Sequence, residues 1–162
     1  MQEAVDKWTE IKLSNPNIQL HLIGKLQTNK VKFALKIFDY IHSVDSEKLA
    51  KKIFFLLNKI NKKIKIFIQV NIGQEDQKSG TSVNELSSLI SYCNKINLDV
   101  VGLMCIPPIN EDPVIYFEKM KKLNEENKFN ELSMGMSSDY LKAAMNNATY
   151  LRIGSSIFGQ RY

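Results

Sequence analysis

The sequence predicts an α/β fold, a parallel sheet covered by helices and built from six consecutive β/α units. Three observations predict it. Apolar periodicity switches repeatedly between two and 3.6 along the 162 residues. The run Leu98 to Met104 is almost continuously apolar, as parallel strands covered on both faces are. No composition break or low-complexity linker divides a chain that is already of single-domain length. Alternation of this kind places parallel strands under helical cover. A six-stranded, open doubly wound sheet fits the count, but the first strand lacks the Gly-x-Gly-x-x-Gly turn of a dinucleotide fold. A barrel needs eight strands and typically about 250 residues, so as a barrel the chain is two units short.

Taken in order, Met1 to Lys12 reads as an amphipathic helix with Val5, Trp8 and Ile11 on one face and no capping residue ahead of it. Asn15-Pro16-Asn17 marks a turn, and Ile18 to Ile23 a strand that ends at Gly24. A polar loop, Lys25 to Asn29, leads to a helix reaching Phe38. The second strand is Tyr40 to Val44; Ser46 then caps a helix from Glu47 to Asn61 whose buried stripe is Leu49, Ile53, Leu56 and Ile60. Lys65 to Asn71 is the most strand-like run, and its polar end, Gln69 and Asn71, points at a site. Ser82 with Glu85 forms a capping box for a helix facing inward with Leu86, Leu89, Cys93 and Ile96. After the Leu98 to Met104 strand, Asp112 and Pro113 fit the N-cap and first turn of a helix over Val114 to Lys122 or beyond.

The closing stretch, Leu132 to Tyr162, carries the chemistry. Two short strands, Glu131 to Met134 and Thr149 to Ile153, each break into Gly and Ser where a helix begins. Glycine lets backbone N–H groups approach an anion, serine adds hydroxyls, and a helix start adds partial positive charge. Either loop alone is equally an ordinary strand-to-helix turn. As a pair ending a β/α chain they match the place where barrels bind phosphate, the loops after strands seven and eight. Lysine supplies twenty of the twenty-two basic residues, and the two arginines, Arg152 and Arg161, both lie in the last eleven positions. Arg152 stands at the edge of the second loop, where a rigid, always-charged fork suits a phosphate or a ring nitrogen.

Bulk composition excludes several classes. Hydrophobic content of 44% and charged content of 24% are those of a globular protein. The net charge of +5 is spread over every segment rather than gathered into a nucleic-acid face. Cys93 and Cys105 have no metal or redox spacing and read as free thiols of a reducing compartment. No membrane span or secretory leader is evident, so the expected location is the cytoplasm.

At this point the residues resemble a known family. His21-Leu-Ile-Gly-Lys-Leu-Gln-Thr-Asn-Lys30, Ser43-Val-Asp-Ser46, Gln69-Val-Asn71 with Lys78 and Gly80, Gly102-Leu-Met-Cys-Ile-Pro107, Leu132-Ser-Met-Gly-Met-Ser137 with Asp139, and Arg152-Ile-Gly-Ser-Ser-Ile-Phe-Gly159 occur in that order. The chain thereby resembles the pyridoxal phosphate homeostasis proteins (YggS/PROSC family) from end to end. The resemblance implies a fold-type III (β/α)8 barrel of the TIM-barrel type, like the N-terminal domain of alanine racemase, here with about six of eight units. It implies pyridoxal 5'-phosphate (PLP) as cofactor, no catalytic turnover, PLP-dependent apo-enzymes as partners and a monomeric state. By motif, Ser133 and the backbone of Met134, Gly135, Met136 and Ser137 would hold the phosphate from one side, and Gly154 with Ser155 from the other. Arg152 would reach ring or phosphate, and His21, Gln69, Asn71 and Met104 would lie near the ring. Outside the resemblance, His21 reads as a structural histidine, the methionines Met104, Met134 and Met136 as core, and Asn29-Lys30 as a helix start.

The departure is at the front. The family's lysine that carries the cofactor, and its Gly-Glu-Asn motif, precede the helix that Met1 to Ala4 resembles, and no lysine here occupies the matching position. An internal start, a fragment, or a short form that closes its sheet by self-association through open edges would each account for this; the first two are favoured. A PLP-dependent racemase or decarboxylase, a degenerate barrel without PLP, and a barrel for another phosphate ester are the competing functions.

Overall fold

The computed structural model describes residues 2–159. Six parallel strands form one sheet: β1 (His21–Leu22), β2 (Tyr40–Val44), β3 (Lys65–Gln69), β4 (Val100–Met104), β5 (Glu131–Met136) and β6 (Tyr150–Arg152). Their spatial order is their chain order. A doubly wound sheet must reverse direction at a switch point; this one never does, which leaves the barrel connectivity. Around it run α1 (Gln2–Ser14), α2 (Val31–Ile37), α3 (Glu47–Ile60), α4 (Val83–Lys95), α5 (Pro113–Glu126), α6 (Tyr140–Met145) and α7 (Ser155–Phe158), with a 3-10 turn at Thr28–Lys30 before α2.

Period two sorts the strands onto two faces. Ile41, Ile66, Ile68, Leu103, Leu132 and Met134 pack outward against the helices in the main core. Tyr40, Phe67 and Met104 form a separate inner cluster on the concave face, joined by Ile106 and Tyr150. The sheet curls so far that the rings of His21 on β1 and Tyr150 on β6 lie 5.6 Å apart. Both edge strands nonetheless pair on one side only. The flank beyond β6 exposes Leu141, Met145, Leu151, Ile157 and Phe158, the last 86% accessible.

Several expectations are corrected. β1 shrinks from Ile18–Ile23 to His21–Leu22 because the Leu20 N–H is taken by the Asp39 carboxylate at 2.8 Å rather than by a ladder. In α3 the buried stripe is Leu49, Ala50, Ile53 and Leu57; Leu56 is only half-buried and Ile60 is 52% exposed, since strict four-residue spacing carries the inward line through position 57. Ser46 holds the N-cap position of α3, but its hydroxyl makes no capping bond. In α4 Ile90 is buried and Ile96 falls past the last turn. β5 does not stop at Met134: it passes through Gly135, at φ +88°, to Met136. An added Cβ at Gly135 would lie 2.5 Å from Ala143 Cβ, so glycine is needed where α6 crosses the strand. Met1, the first residue of the expected leading helix, lies outside the described residues.

The capping box at Ser82 is present: Ser82 Oγ accepts from Glu85 N at 3.2 Å and lies 2.8 Å from Glu85 Oε2. Ser82→Ala is expected to cost about 1 kcal/mol, read as a lower urea midpoint with an unchanged m-value; a shift within error would remove the cap from the account.

Candidate functional site

The concave face gathers aromatic and polar side chains from five strands. His21 on β1 stacks on Tyr40 of β2 with centroids 4.1 Å apart. His42, two residues along β2, stacks on Phe67 of β3 at 4.2 Å. The Tyr150 ring stands edge-on to Phe67 at 5.2 Å, and its hydroxyl lies 3.4 Å from that of Tyr40. Hydrogen bonds link the same residues: His21 Nδ1 with His42 Nε2 at 2.9 Å, His42 Nδ1 with Ser133 Oγ at 2.9 Å, and Arg152 Nη1 donating to Ser133 Oγ at 2.8 Å. Arg152 Nη2 donates to the Cys105 carbonyl at 2.8 Å, while its Nε is buried with no hydrogen-bond partner among the described residues. Burial, then the charges of His21 and Arg152, hold the His42 imidazole down at about 3, so at neutral pH it is uncharged. Burial lowers Arg152 as well, from a value so high that the guanidinium stays charged. Cys105, fully enclosed, has its thiol pushed up to about 12 and is an inert core group.

The loops after β5 and β6 join into one wall. Ser137 Oγ accepts from Gly154 N at 3.0 Å and from Ser156 N at 3.3 Å, and Ser156 Oγ returns a bond to the Ser137 carbonyl at 3.3 Å. Asp139 Oδ1 takes the Met136 N–H at 2.6 Å, fixing the turn that presents Ser137. These loops border an open basin of about 760 Å³ lined by Met136, Ser137, Ser138, Arg152, Gly154, Ser155, Phe158 and Gly159. A Cβ at Gly154 would meet nothing within 4 Å, so there is open space beside the residue on its Cβ side.

Of the residues singled out from sequence, Met136, Ser137, Arg152, Gly154 and Ser155 come together here. Gly135 shapes the turn and Met134 faces the main core. Ser133 is fully buried and lies beneath Arg152 rather than on the basin wall. His21 sits in the aromatic cluster. Met104 is buried in the same inner layer. Asn71 is tied into its own loop, donating to the Glu75 carbonyl at 2.9 Å and accepting from Glu75 N at 3.2 Å. With Gln69, Lys25 and Lys78 it borders a second, smaller basin of about 280 Å³. Lys78 is ion-paired to Glu75 and donates to the Pro107 carbonyl. Ser43 Oγ donates to the Gly24 carbonyl at 2.8 Å, anchoring the loop after β1. Sequence reading missed His42, Tyr40 and Tyr150. The signal for His42 was available: a polar residue at an inward position of an otherwise apolar strand, the pattern that drew attention to Gln69.

Fold and site define a domain of the alanine racemase N-terminal class, and residues 2–162 match that family, "Alanine racemase, N-terminal domain". Within it, the chain belongs to the pyridoxal phosphate homeostasis protein family. It is 38% identical to the protein of that name from Aquifex aeolicus over 99% of this chain and 74% of the relative, and 31% identical to that of Escherichia coli over 99% and 73%. The solved structure of PipY from Synechococcus elongatus with PLP bound matches with a TM-score of 0.88 at 31% identity, covering 98% of this chain and 78% of PipY. An alanine racemase from Clostridium difficile, 16% identical with a TM-score of 0.70, shares the fold, and this chain covers 48% of it. The six-stranded sheet is thus an incomplete (β/α)8 barrel.

Proposed function

We propose that this chain binds pyridoxal 5'-phosphate and serves PLP homeostasis as a carrier. The observation that carries the reading is the Arg152 Nε–H, a buried donor without a partner among the described residues, beside a basin walled by small residues and joined loops. A buried unpaired donor on a cation is costly, and an anionic or ring-acceptor group satisfies it. PLP fits this donor set, with a phosphate for the Ser137, Gly154 and Ser155 wall and a flat ring for the apolar sides formed by Met136 and Phe158. When bound, the cofactor supplies an aldehyde reactive toward amines. Arg152 supplies fixed positive charge, Ser137 holds the two loops in register through the Gly154 N–H, and the absence of a side chain at Gly154 leaves room beside the joined loops. The PLP-bound PipY relative supports this reading. Relatives at 30% identity or more bearing the homeostasis name support a carrier rather than an enzyme, whereas the racemase likeness is one of fold. PLP-dependent apo-enzymes in the cytoplasm are the proposed recipients. Among the described residues no helix is long and apolar enough to cross a membrane.

The test is a PLP titration followed by absorbance and equilibrium dialysis, with inorganic phosphate as competitor. Wild type is expected to bind saturably. Gly154→Asp, which meets no steric obstacle but sets a carboxylate against the phosphate, is expected to bind about a hundredfold more weakly, and Ser137→Ala about tenfold. No saturable binding by wild type, or full binding by Gly154→Asp, would overturn the proposal.

A further inference from the structure

The guanidinium of Arg152 has N–H donors and no acceptor. Its bond to Ser133 Oγ therefore runs in one direction only, and the hydroxyl proton of Ser133 must go elsewhere. Ser133 is fully buried, and the other group hydrogen-bonded to its Oγ is His42 Nδ1, at 2.9 Å. Were Nδ1 to carry a proton, Ser133 would receive two donors and its own O–H would be enclosed without an acceptor, which buried hydroxyls avoid. So Ser133 donates and His42 Nδ1 accepts. A neutral imidazole bare at Nδ1 is protonated at Nε2, and that N–H points at His21 Nδ1, 2.9 Å away. His21 then accepts at Nδ1. From the donor-only chemistry of one arginine, the hydrogens of a chain crossing β6, β5, β2 and β1 are all placed.

We propose that His42 is a positioning residue: in its Nε2–H form it draws the Ser133 hydroxyl proton to itself, turns the Ser133 lone pair to Arg152, and thereby fixes the guanidinium beside the basin with Nε–H as its uncommitted donor. Phe67, stacked at 4.2 Å, holds the ring orientation this requires. The ionisable groups facing His42 are His21 from β1, Tyr40 from its own strand, and Tyr150 and Arg152 from β6. None offers a negative charge to a protonated ring, since burial raises Tyr150 further from ionisation and Arg152 is a cation. Met104 and Phe67 close the inner layer without charge. The assignment of hydrogens stands on geometry alone; its effect on PLP rests on the function proposed above.

Two readouts separate them. In ligand-free protein with nitrogen-15 histidine, long-range proton–nitrogen spectra are expected to show His42 with a bare Nδ1 and a protonated Nε2, unchanged from pH 8 to pH 5. A protonated Nδ1 on His42, or its titration in that range, overturns the proposal whether or not PLP binds. In PLP titrations His42→Phe, which keeps a ring against Phe67 but offers Ser133 no acceptor, is expected to weaken binding about tenfold. His42→Asn, whose amide oxygen can take the place of Nδ1, is expected to restore affinity to within about threefold of wild type. Should His42→Phe fail to fold, Ser133→Ala gives the same decision: PLP loosens about tenfold and the His42 signals lose their fixed form. Wild-type affinity in the folded Phe or Ala variant, with wild type itself binding PLP, would assign His42 to structure alone.

Discussion

Gly102→Ala is expected to destabilise the protein by about 3 kcal/mol, enough to take a domain of ordinary stability close to its unfolding threshold. An alanine Cβ at this position would lie 1.8 Å from the Glu131 carbonyl oxygen and 2.6 Å from its carbon. Both are backbone atoms of β5, and Gly102 pairs with Glu131 in the β4–β5 register, so relief requires pulling apart the strands that carry Met104 and Ser133 into the site. Gly24→Ala is the control. A Cβ there meets nothing within 4 Å, and the expected change is within about 0.5 kcal/mol. Urea unfolding of both variants decides the matter; equal midpoints would mean that β4 and β5 do not approach this closely.

The second large effect is acid destabilisation between pH 7 and pH 4. Folded His42 is held near 3, by burial first and then by His21 and Arg152, against an ordinary value of 6.5. Below 6.5 the unfolded chain takes up a proton that the folded chain refuses, so stability falls as pH falls, by up to about 1.4 kcal/mol per unit for this one group. The loss begins near 6.5, reaches about 3 kcal/mol at pH 4 and levels off near 3. His21, also lowered by burial against the opposing pull of Asp39, adds to it in the same sense. At the lower end of the range Asp39 contributes as well. Burial opposes its ionisation, but the bonds from Lys12 and Leu20 outweigh that and lower its carboxyl. Urea midpoints measured at pH 7, 6, 5 and 4 should decline steadily in wild type and much less in His42→Asn; a flat wild-type profile would mean that His42 is free to titrate.

Much of this architecture was readable because it rests on local spacing. The switch from alternation to helical period found all six strands, and Ser82 and Asp112 announced their helix starts through chemistry confined to a few neighbours. Spacing failed where the deciding partner is remote. Ile60 lies in the last turn of α3, off the inward line that runs through Leu49, Ile53 and Leu57. The family resemblance placed Ser133 on the phosphate wall; strand parity turns its side chain inward, under Arg152. His42 could have been noticed for its polarity, but its partner Ser133 is ninety-one residues away, and no motif spans that distance.

The strict chain order of the strands has a consequence for how the molecule is made. Every ladder joins one β/α unit to the unit synthesised just before it, so each new strand finds a template already in place and closes only a short loop to reach it. Assembly can keep pace with translation, unit by unit. Contacts such as those between Tyr40 and Tyr150, between His42 and Ser133 and between His21 and Tyr150 are exceptions, since they wait for the last units to emerge. The interior ring that holds Arg152 is therefore expected to form last, with the helical shell in place before a ligand site exists; pulse-labelled hydrogen exchange should show β6 protected later than β2 and β3.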